Sequence, residues 1–229
     1  MLLKEIIQRV QSLYSKGVQS DDSRLSSRHI YNKLLTIRTR LMSQKSKQKQ
    51  KISDWNYQTI SCVEMIDVDA SNCPCITPTG CIVKRSKYRI PKVMTDYNKN
   101  LIDYVMTVDS GIKFDPTNKT ELIHIRGNKY TATNKRFLID NGYLYAYGKM
   151  IPDVLQIRAL FEDPIEVINF STLCSEDVSC IDIFEIDFPV DSDLLDVLIQ
   201  FAAEELIVLF KQGVEDKSAN TNDDTVQHQ

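Results

Sequence analysis

The chain has 229 residues, of which 42% are hydrophobic and 26% are charged, and its formal net charge is −3. A chain of this length and composition can bury a core of its own without disulfides or structural metals. Its longest apolar runs are much shorter than the ~20 residues that a membrane-spanning helix needs. The composition therefore favours a folded globular protein and excludes a membrane-spanning one.

The first predicted element is an amphipathic helix over residues 2–14, which Gly17 ends. Charged residues interrupt its apolar sequence, so we do not interpret it as a secretory signal, and we expect the six cysteines to stay reduced in a cytoplasm. The apolar face consists of Leu2, Ile6, Val10 and Leu13.

A basic segment from Arg24 to Lys51 is predicted to form a long second helix that starts at about Arg24 or Ser27 and frays toward its end. No Asp or Glu lies between Ser23 and Ser53, although the whole chain is slightly acidic. Segregated charge of this kind indicates a surface that faces a negatively charged partner. Its members are Arg24, Arg28, Lys33, Arg38, Arg40, Lys45, Lys47, Lys49 and Lys51.

The same helix carries an apolar stripe with helical spacing, which we expect to pack in a helical bundle or against another subunit. The stripe consists of Ile30, Leu34, Ile37 and Leu41. After the helix, a turn over residues 53–57 holds the single tryptophan, Trp55, which we predict to be a packing residue of the same kind.

From about Thr59 the pattern changes to short β-prone runs separated by turn residues. The clearest signal is the hairpin at Arg136–Tyr147, because its Asn141-Gly142 pair favours a two-residue turn between strands. Two prolines and a glycine indicate a loop over residues 72–80. The remaining predicted strands are Thr59–Val68, Cys81–Tyr88, Leu101–Val108, Glu121–Ile125 and Val154–Phe161.

Helices return at the end of the chain. Pro164 begins a short helix that reaches Ile168, and a long helix is predicted over residues 194–211, capped by residues 191–193. The long helix is apolar around most of its circumference, so it is predicted to be buried in the bundle or against a neighbouring subunit. Its packing residues are Leu195, Leu198, Ala202, Leu206 and Leu209.

The predicted fold class is α+β, a helical bundle formed by the N- and C-terminal helices with an inserted β-rich domain. The predicted parts are a helical part over 1–58, a β-rich insertion over 59–161, a closing helical part over 162–213 and a flexible or partner-docked tail over 214–229. From Glu162 onward the chain holds seventeen acidic residues and two lysines. Opposite charge at the two ends favours either oriented contact between subunits or pairing within one chain.

Metal binding and catalysis find little support in the sequence. Cys73 and Cys75, with Cys62 and Cys81, do not have the usual spacing of a zinc site, so we interpret them as reduced thiols. The three histidines, His29, His124 and His228, lie in no recognised catalytic motif, and glycine is too scarce for a phosphate-binding loop. We expect no enzymatic activity, no metal and no cofactor.

Nucleic-acid binding is the alternative that the residues leave open. The basic segment 24–51 could neutralise several phosphates. Few aromatic side chains accompany it, and no known DNA-binding motif is present. A charged segment is more often a solvated surface.

Residues 26–35 (SSRHIYNKLL) and 48–58 (QKQKISDWNYQ), and more weakly FEDP at 161–164 with the closing helix, resemble a structural protein of crAss-like bacteriophages. The resemblance covers residues 1–213 approximately. Within that group it points to the head-to-tail connector, ring protein 1, and it is similar to the adaptor proteins of short-tailed phages.

This resemblance implies a virion structural protein at the head–tail junction, assembled in the host cytoplasm. It implies a twelvefold homo-oligomeric ring below the portal protein, which extends the channel for genomic DNA and anchors other tail ring or hub proteins. The basic helix would then face the portal, a neighbouring subunit or DNA, and no membrane is involved. Another tail ring of the same virion is the closest alternative, and a nucleic-acid-binding accessory protein is the second.

Overall fold

The computed structural model describes residues 1–17, 25–68, 83–97, 99–126, 134–172 and 182–211, and the fold is mixed α+β. The chain divides into a helical unit, Met1–Ile52 with Ile181–Gln229, and a barrel unit, Ser53–Cys180. The described helices are α1 (Leu3–Tyr14), α2 (Ser27–Lys47), α3 (Lys119–Arg126), α4 (Pro164–Thr172) and α5 (Ser192–Lys211). The described strands are β1 (Gln58–Asp67), β2 (Val83–Ser86), β3 (Thr95–Asp96), β4 (Lys99–Asn100), β5 (Ile102–Thr107), β6 (Lys113–Pro116), β7 (Arg136–Asp140), β8 (Tyr143–Tyr147) and β9 (Val154–Ala159).

In the helical unit, α1, α2 and α5 pack against one another. Each helix contributes an apolar face at helical spacing, and burying one such side chain contributes about 1.5–3 kcal/mol. The predicted helices at 2–14 and 194–211 are confirmed within two residues at each end. The core side chains of this unit include Leu3, Ile6, Val10, Ile30, Leu34, Ile37, Leu198, Ala202 and Leu206.

The ends of α2 are fixed by local hydrogen bonds. At its start, Ser26 Oγ accepts from the backbone N–H of His29 at 3.3 Å. At its end, Lys49 adopts a positive φ of 55°. Gln50 N–H donates to Lys45 O at 3.0 Å and Lys49 N–H donates to Ser46 O at 2.9 Å, which is the Schellman arrangement. The helix therefore stops at Lys47 and does not continue through the lysine-rich sequence.

The barrel unit is built on a closed barrel with the strand order β1-β2-β8-β7-β6-β5-β9. Strands β6 and β7 are parallel, and the other neighbouring barrel strands are antiparallel. Alternate residues of β9 are buried, as its interior-facing positions require. The inward side chains form one apolar cluster around Phe114, Val105, Leu144 and Ile157.

The predicted hairpin is confirmed. Strands β7 and β8 pair from Arg136↔Tyr147 to Asp140↔Tyr143. Asn141 and Gly142 occupy the turn with φ of 52° and 80°, the backbone conformation that a type I′ turn demands. The predicted strands at 59–68, 101–108 and 154–161 correspond to β1, β5 and β9, and β2 lies within the one predicted at 81–88.

The predicted strand at Glu121–Ile125 is wrong, because these residues lie in α3. Asn118 begins the helix: the backbone N–H of Glu121 donates to Asn118 Oδ1 at 2.7 Å, and Leu122 N–H donates to Asn118 O at 3.1 Å. This N-cap satisfies amide groups that a strand would have paired with a neighbour. These local hydrogen bonds favour a helix, and they outweigh the β-propensity of the isoleucines.

Helix α4 packs against the barrel. Val167 and Phe170 are buried in the same apolar cluster as the barrel interior, and α4 contacts β1. The sequence had placed this helix with the closing helical part over 162–213. In the structure, α4 belongs to the barrel unit, Ser53–Cys180. The β3–β4 pair and β6 were not predicted, since strands of two and four residues are too short to show a period.

Candidate functional site

The basic segment, for which the sequence proposed a partner-facing role, occupies α2 and the residues just after it. Arg28, Arg40, Lys47, Lys49 and Lys51 are exposed, and Lys33 and Lys45 are half-buried. Arg24 lies outside the described residues. The structure therefore presents most of the predicted basic residues to solvent, although not as one uniform surface.

Arg38 does not belong to this surface, because its side chain is fully buried. Its Nε donates to Pro189 O at 3.0 Å, and its guanidinium lies 5.9 Å from the centre of the Phe188 ring. Arg38 stands one turn after Leu34 and next to Ile37, so it extends from the edge of the apolar stripe into the segment before α5. The charge pattern alone gives no sign of this position.

Lys33 and Arg40 are partly neutralised within the chain. Both form ion pairs with Glu205 on α5. The hydrogen bond from Lys33, followed by that from Arg40, holds the pKa of the Glu205 carboxyl below its usual range. These two cations serve first to join α2 to α5.

The lysines at the end of α2 form a basic surface at the opposite end of the helix from Arg28. We call Lys45, Lys47, Lys49 and Lys51 the lysine cluster. They lie in the last turn of the helix or just beyond it, where cations are favoured by the negative end of the helix dipole. The turn at Lys49 holds their backbone in a fixed arrangement.

The predicted packing residues fall into two groups. Ile30, Leu34, Ile37, Leu41, Leu198, Ala202 and Leu206 are buried, and Leu195 is half-buried. Leu209 is 65% exposed in the last turn of α5, where the neighbouring Phe210 meets the edge of the His29 ring at 6.1 Å. The pairing of α2 with α5 ends there, so Leu209 does not pack in the bundle.

Trp55 is 80% exposed and lies in the barrel unit, so it does not pack in the bundle either. It sits in the 3₁₀ turn Asp54–Asn56, whose position is fixed by Arg158. Arg158 pairs with Asp54 at 3.0 Å and with Asp103 at 3.4 Å. Its guanidinium also lies 5.3 Å from the Tyr57 ring centre, and burial raises the pKa of the Tyr57 hydroxyl. A large apolar side chain is thus presented to solvent on a well-supported turn.

A second exposed apolar feature, which the sequence did not resolve, lies on α5. Val197, Phe201 and Val208 are 38%, 41% and 51% exposed. We call these three residues the α5 ridge. A sequence that is apolar nearly all round the helix is the signal for it, since a helix packed on one side leaves such residues uncovered on the other.

The barrel unit contains an open groove of about 520 Å³ beside β5, β6 and the start of α3. Its polar lining mixes Lys99 and Lys113 with Asp103, Asp115 and Glu121. These groups do not form a pairing of nucleophile and base, so the groove suggests no reaction.

In the described ranges, no cluster of three or more His, Cys, Asp or Glu side chains is arranged to hold a metal ion. Among the described helices, none has the length and apolar character needed to cross a bilayer. Cys62 is half-buried in β1, whereas Cys73, Cys75 and Cys81 lie outside the described residues, as does the side chain of His124.

Comparison with the families of known proteins gives a match over most of the chain. No curated protein matches the chain. The crAss-phage family model described as "Phage tail ring protein 2" matches residues 5–225. The match supports the crAss-like tail ring inferred from the sequence, but it names ring protein 2 where the sequence suggested ring protein 1. A tail ring protein is a structural component of the virion that acts as an oligomer. The chain belongs to the crAss-phage tail ring protein 2 family.

Proposed function

We propose that this protein is the subunit of a closed ring in the tail of a crAss-like phage. The helices of the helical unit form the body of the ring as a bundle, and the barrel unit is an insertion that contacts the next protein of the tail. The ring extends the channel through which genomic DNA passes. We take the copy number of twelve from the resemblance to connector proteins.

The family match over residues 5–225 carries this proposal, because it covers both compact units. The exposed apolar side chains support it. Trp55 in one unit and the α5 ridge in the other are the kind of surface that an assembled protein covers. A ring needs two different complementary surfaces on each subunit, and the chain offers apolar, acidic and basic ones.

The position of the ring in the tail follows from the same proposal. We place the ring at the head–tail junction, as the resemblance to connector proteins implies, with other tail rings or the portal itself as its neighbours. The lysine cluster faces the portal, a neighbouring subunit or the DNA in the channel. Assembly takes place in the host cytoplasm before the virion is released.

Electron cryomicroscopy of virions tests the proposal. Density for the chain in a closed ring on the tail axis, with about twelve copies, is the expected result. A location in the capsid shell, or an absence of the protein from purified virions, would overturn it. Antibody labelling of the same particles gives an independent measure of position.

The lysine cluster favours a second candidate, a nucleic-acid-binding accessory protein. If all four lysines contacted phosphates, the logarithm of DNA affinity would fall with the logarithm of salt with a slope of roughly −3 to −4. For a ring subunit we expect weak binding of duplex DNA by the isolated chain. Tight binding with that slope, together with no incorporation into tails, would favour the accessory protein.

A further inference from the structure

The α5 ridge points away from the helices that flank α5. On one side of α5, Asp196 lies 4.0 Å from Arg9 of α1. On the other side, Glu205 pairs with α2. Val197, Phe201 and Val208 follow each other at intervals of four and seven residues, so they lie along a single line between these two contacts. The ridge is therefore a line of exposed apolar side chains on α5, with the exposed Glu204 beside it between Phe201 and Val208.

The edge of the ridge is acidic. Asp193 and Glu204 are exposed on the same side of α5, and Gln200 donates from Nε2 to Glu204 Oε1 at 2.9 Å. An apolar centre with a polar, charged edge is the usual anatomy of a protein–protein interface. The negative edge selects for a basic partner surface.

A basic surface is present on the same unit. Lys49 and Lys51 of the lysine cluster are exposed. A ring that closes by head-to-tail contacts requires two different patches on one chain that fit each other. The acidic-edged α5 ridge and the lysine cluster have the opposite charges that such a pair needs.

We infer that the α5 ridge is the contact through which one ring subunit packs on the next, and that the lysine cluster of the adjacent copy lies against its acidic edge. This inference rests on the proposed ring function and adds the surfaces that build the ring. The occupant of the ridge is a second copy of this chain.

Photo-crosslinking locates the partner directly. Benzoylphenylalanine replaces Phe201 in the full-length chain, and assemblies are made from a mixture of isotopically light and heavy protein. Crosslinks between light and heavy chains that join position 201 to residues 41–52 are expected. Crosslinks within one chain, to another region of the second copy, or to a different tail protein would overturn the inference.

A matched pair of substitutions tests the energetic role of the ridge. Val208 and Val108 are 51% and 54% exposed, and Val108 lies in the turn between β5 and β6. Val208→Lys is expected to weaken subunit association about tenfold or more, whereas Val108→Lys leaves it within about threefold. The new lysine on α5 stands four residues after Glu204, a favourable helical spacing, so folding is preserved. Circular dichroism checks this for both variants.

Charge reversal tests the basic side. Glu204→Lys and Lys51→Glu are each expected to weaken association by about threefold, an effect of the size of a charge pair at the edge of an interface. The double variant is expected to recover most of the loss. Additive losses in the double variant would overturn the pairing of these two surfaces.

The two proposals fail in different ways. If rings form normally with Val208→Lys, the inference about the α5 ridge is wrong and the ring function stands. If the wild-type chain enters no closed oligomer, either alone or in tails assembled in infected cells, the ring function itself is wrong and the inference falls with it. Electron microscopy and mass photometry of the same samples separate these outcomes.

Discussion

Arg38 and Arg40 stand two residues apart on α2 but have opposite environments. Arg38 is fully buried and donates to Pro189 O, whereas the side chain of Arg40 is 50% exposed. Removing a buried guanidinium leaves a cavity and an acceptor without its donor, and both effects cost free energy. Residues of one chemical type in one helix thus provide an internal comparison.

We therefore expect Arg38→Ala to lower the free energy of unfolding by about 2–4 kcal/mol, and Arg40→Ala by less than about 1 kcal/mol. Urea unfolding followed by circular dichroism measures both. Equal losses for the two variants would contradict the burial of Arg38.

Glu205 provides a prediction about pH. Its pKa is depressed in the folded chain by Lys33 and Arg40. The stability it adds is therefore complete above the ordinary glutamate pKa of about 4.3 and is lost as the pH falls through its lower folded-state value. Glu205→Gln is expected to cost roughly 0.5–1 kcal/mol at neutral pH, since the pair is partly exposed, and nothing once the wild-type carboxyl is protonated.

The neighbouring Glu204→Gln is the control for this experiment, because Glu204 is exposed and its side-chain partner is Gln200. Its effect on unfolding should stay below about 0.5 kcal/mol at either pH. A Glu205→Gln deficit that persists in acid would show that the loss comes from packing and not from charge.

The sequence shows which residues of α2 are basic, and it predicted the apolar stripe of this helix. It did not predict which of the basic side chains remain exposed to solvent. Lys33, Arg38 and Arg40 contact residues more than 140 positions away in the chain. The charge pattern shows which residues of one helix are basic. The contacts of these three residues depend instead on how α5 and the segment before it pack on α2. The position of Arg38 could be known only from the structure.

At the scale of elements, the end of α2 requires Lys49 to adopt a left-handed backbone conformation, with a φ of 55°. A side chain with a Cβ in the left-handed region costs about 1–2 kcal/mol, and glycine avoids this cost but loses more chain entropy on folding. Lys49→Gly is therefore expected to raise the free energy of unfolding by about 0.5–1 kcal/mol.

Lys47→Gly, two residues earlier and inside the helix, should lower the same quantity by about 1 kcal/mol. The two substitutions are chemically identical and differ only in backbone conformation. Thermal or urea unfolding of both variants at one pH measures the contrast. Changes of the same sign would contradict the Schellman arrangement at this end.

Long helices and the β7–β8 hairpin were predictable, because each has a local signal repeated over many residues or a turn with one required backbone conformation. Helix α3 was not predicted, since its eight residues contain β-prone side chains and its decisive feature is one hydrogen bond that Asn118 Oδ1 accepts from the backbone N–H of Glu121. The closure of the barrel was also beyond the sequence. It requires the pairing of β1 with β9, strands far apart in the chain.

At the scale of the molecule, we expect Trp55 to report on assembly. In the separate subunit its 80% exposure leaves the indole open to soluble quenchers such as acrylamide. We expect quenching to fall several-fold when the ring binds the next protein of the tail, and Trp55→Ala to weaken that contact by about 2 kcal/mol, as for a tryptophan at an interface centre.

A second probe checks the specificity of that change. Tyr97 is also 80% exposed, on the β3–β4 hairpin. A Tyr97→Trp substitution in a Trp55→Phe background shows whether protection extends to the hairpin or is confined to the turn at Trp55. Unchanged quenching at position 55 after assembly would remove Trp55 from the contacts between proteins.

The assignment to a phage tail came from residue patterns specific to a family, and no single physical property of the chain would have supplied it. The exposed α5 ridge and Trp55 then indicate which surfaces such a protein buries on assembly. For Trp55 and for the closing helix as a whole, the sequence left open packing in a bundle or against another subunit, and it did not single out the ridge residues. Their exposure in the folded chain favours the second alternative.

The closed barrel has a consequence for the chain before it is assembled. Each described barrel strand has a hydrogen-bonded neighbour on both sides, and the strands of the separate β3–β4 pair are only two residues long. Exposed strand edges are what lets folded proteins join by strand addition into fibres. During infection a structural protein accumulates before its particle is complete. A chain without long open edges in its barrel can accumulate in that interval without polymerising through its backbone.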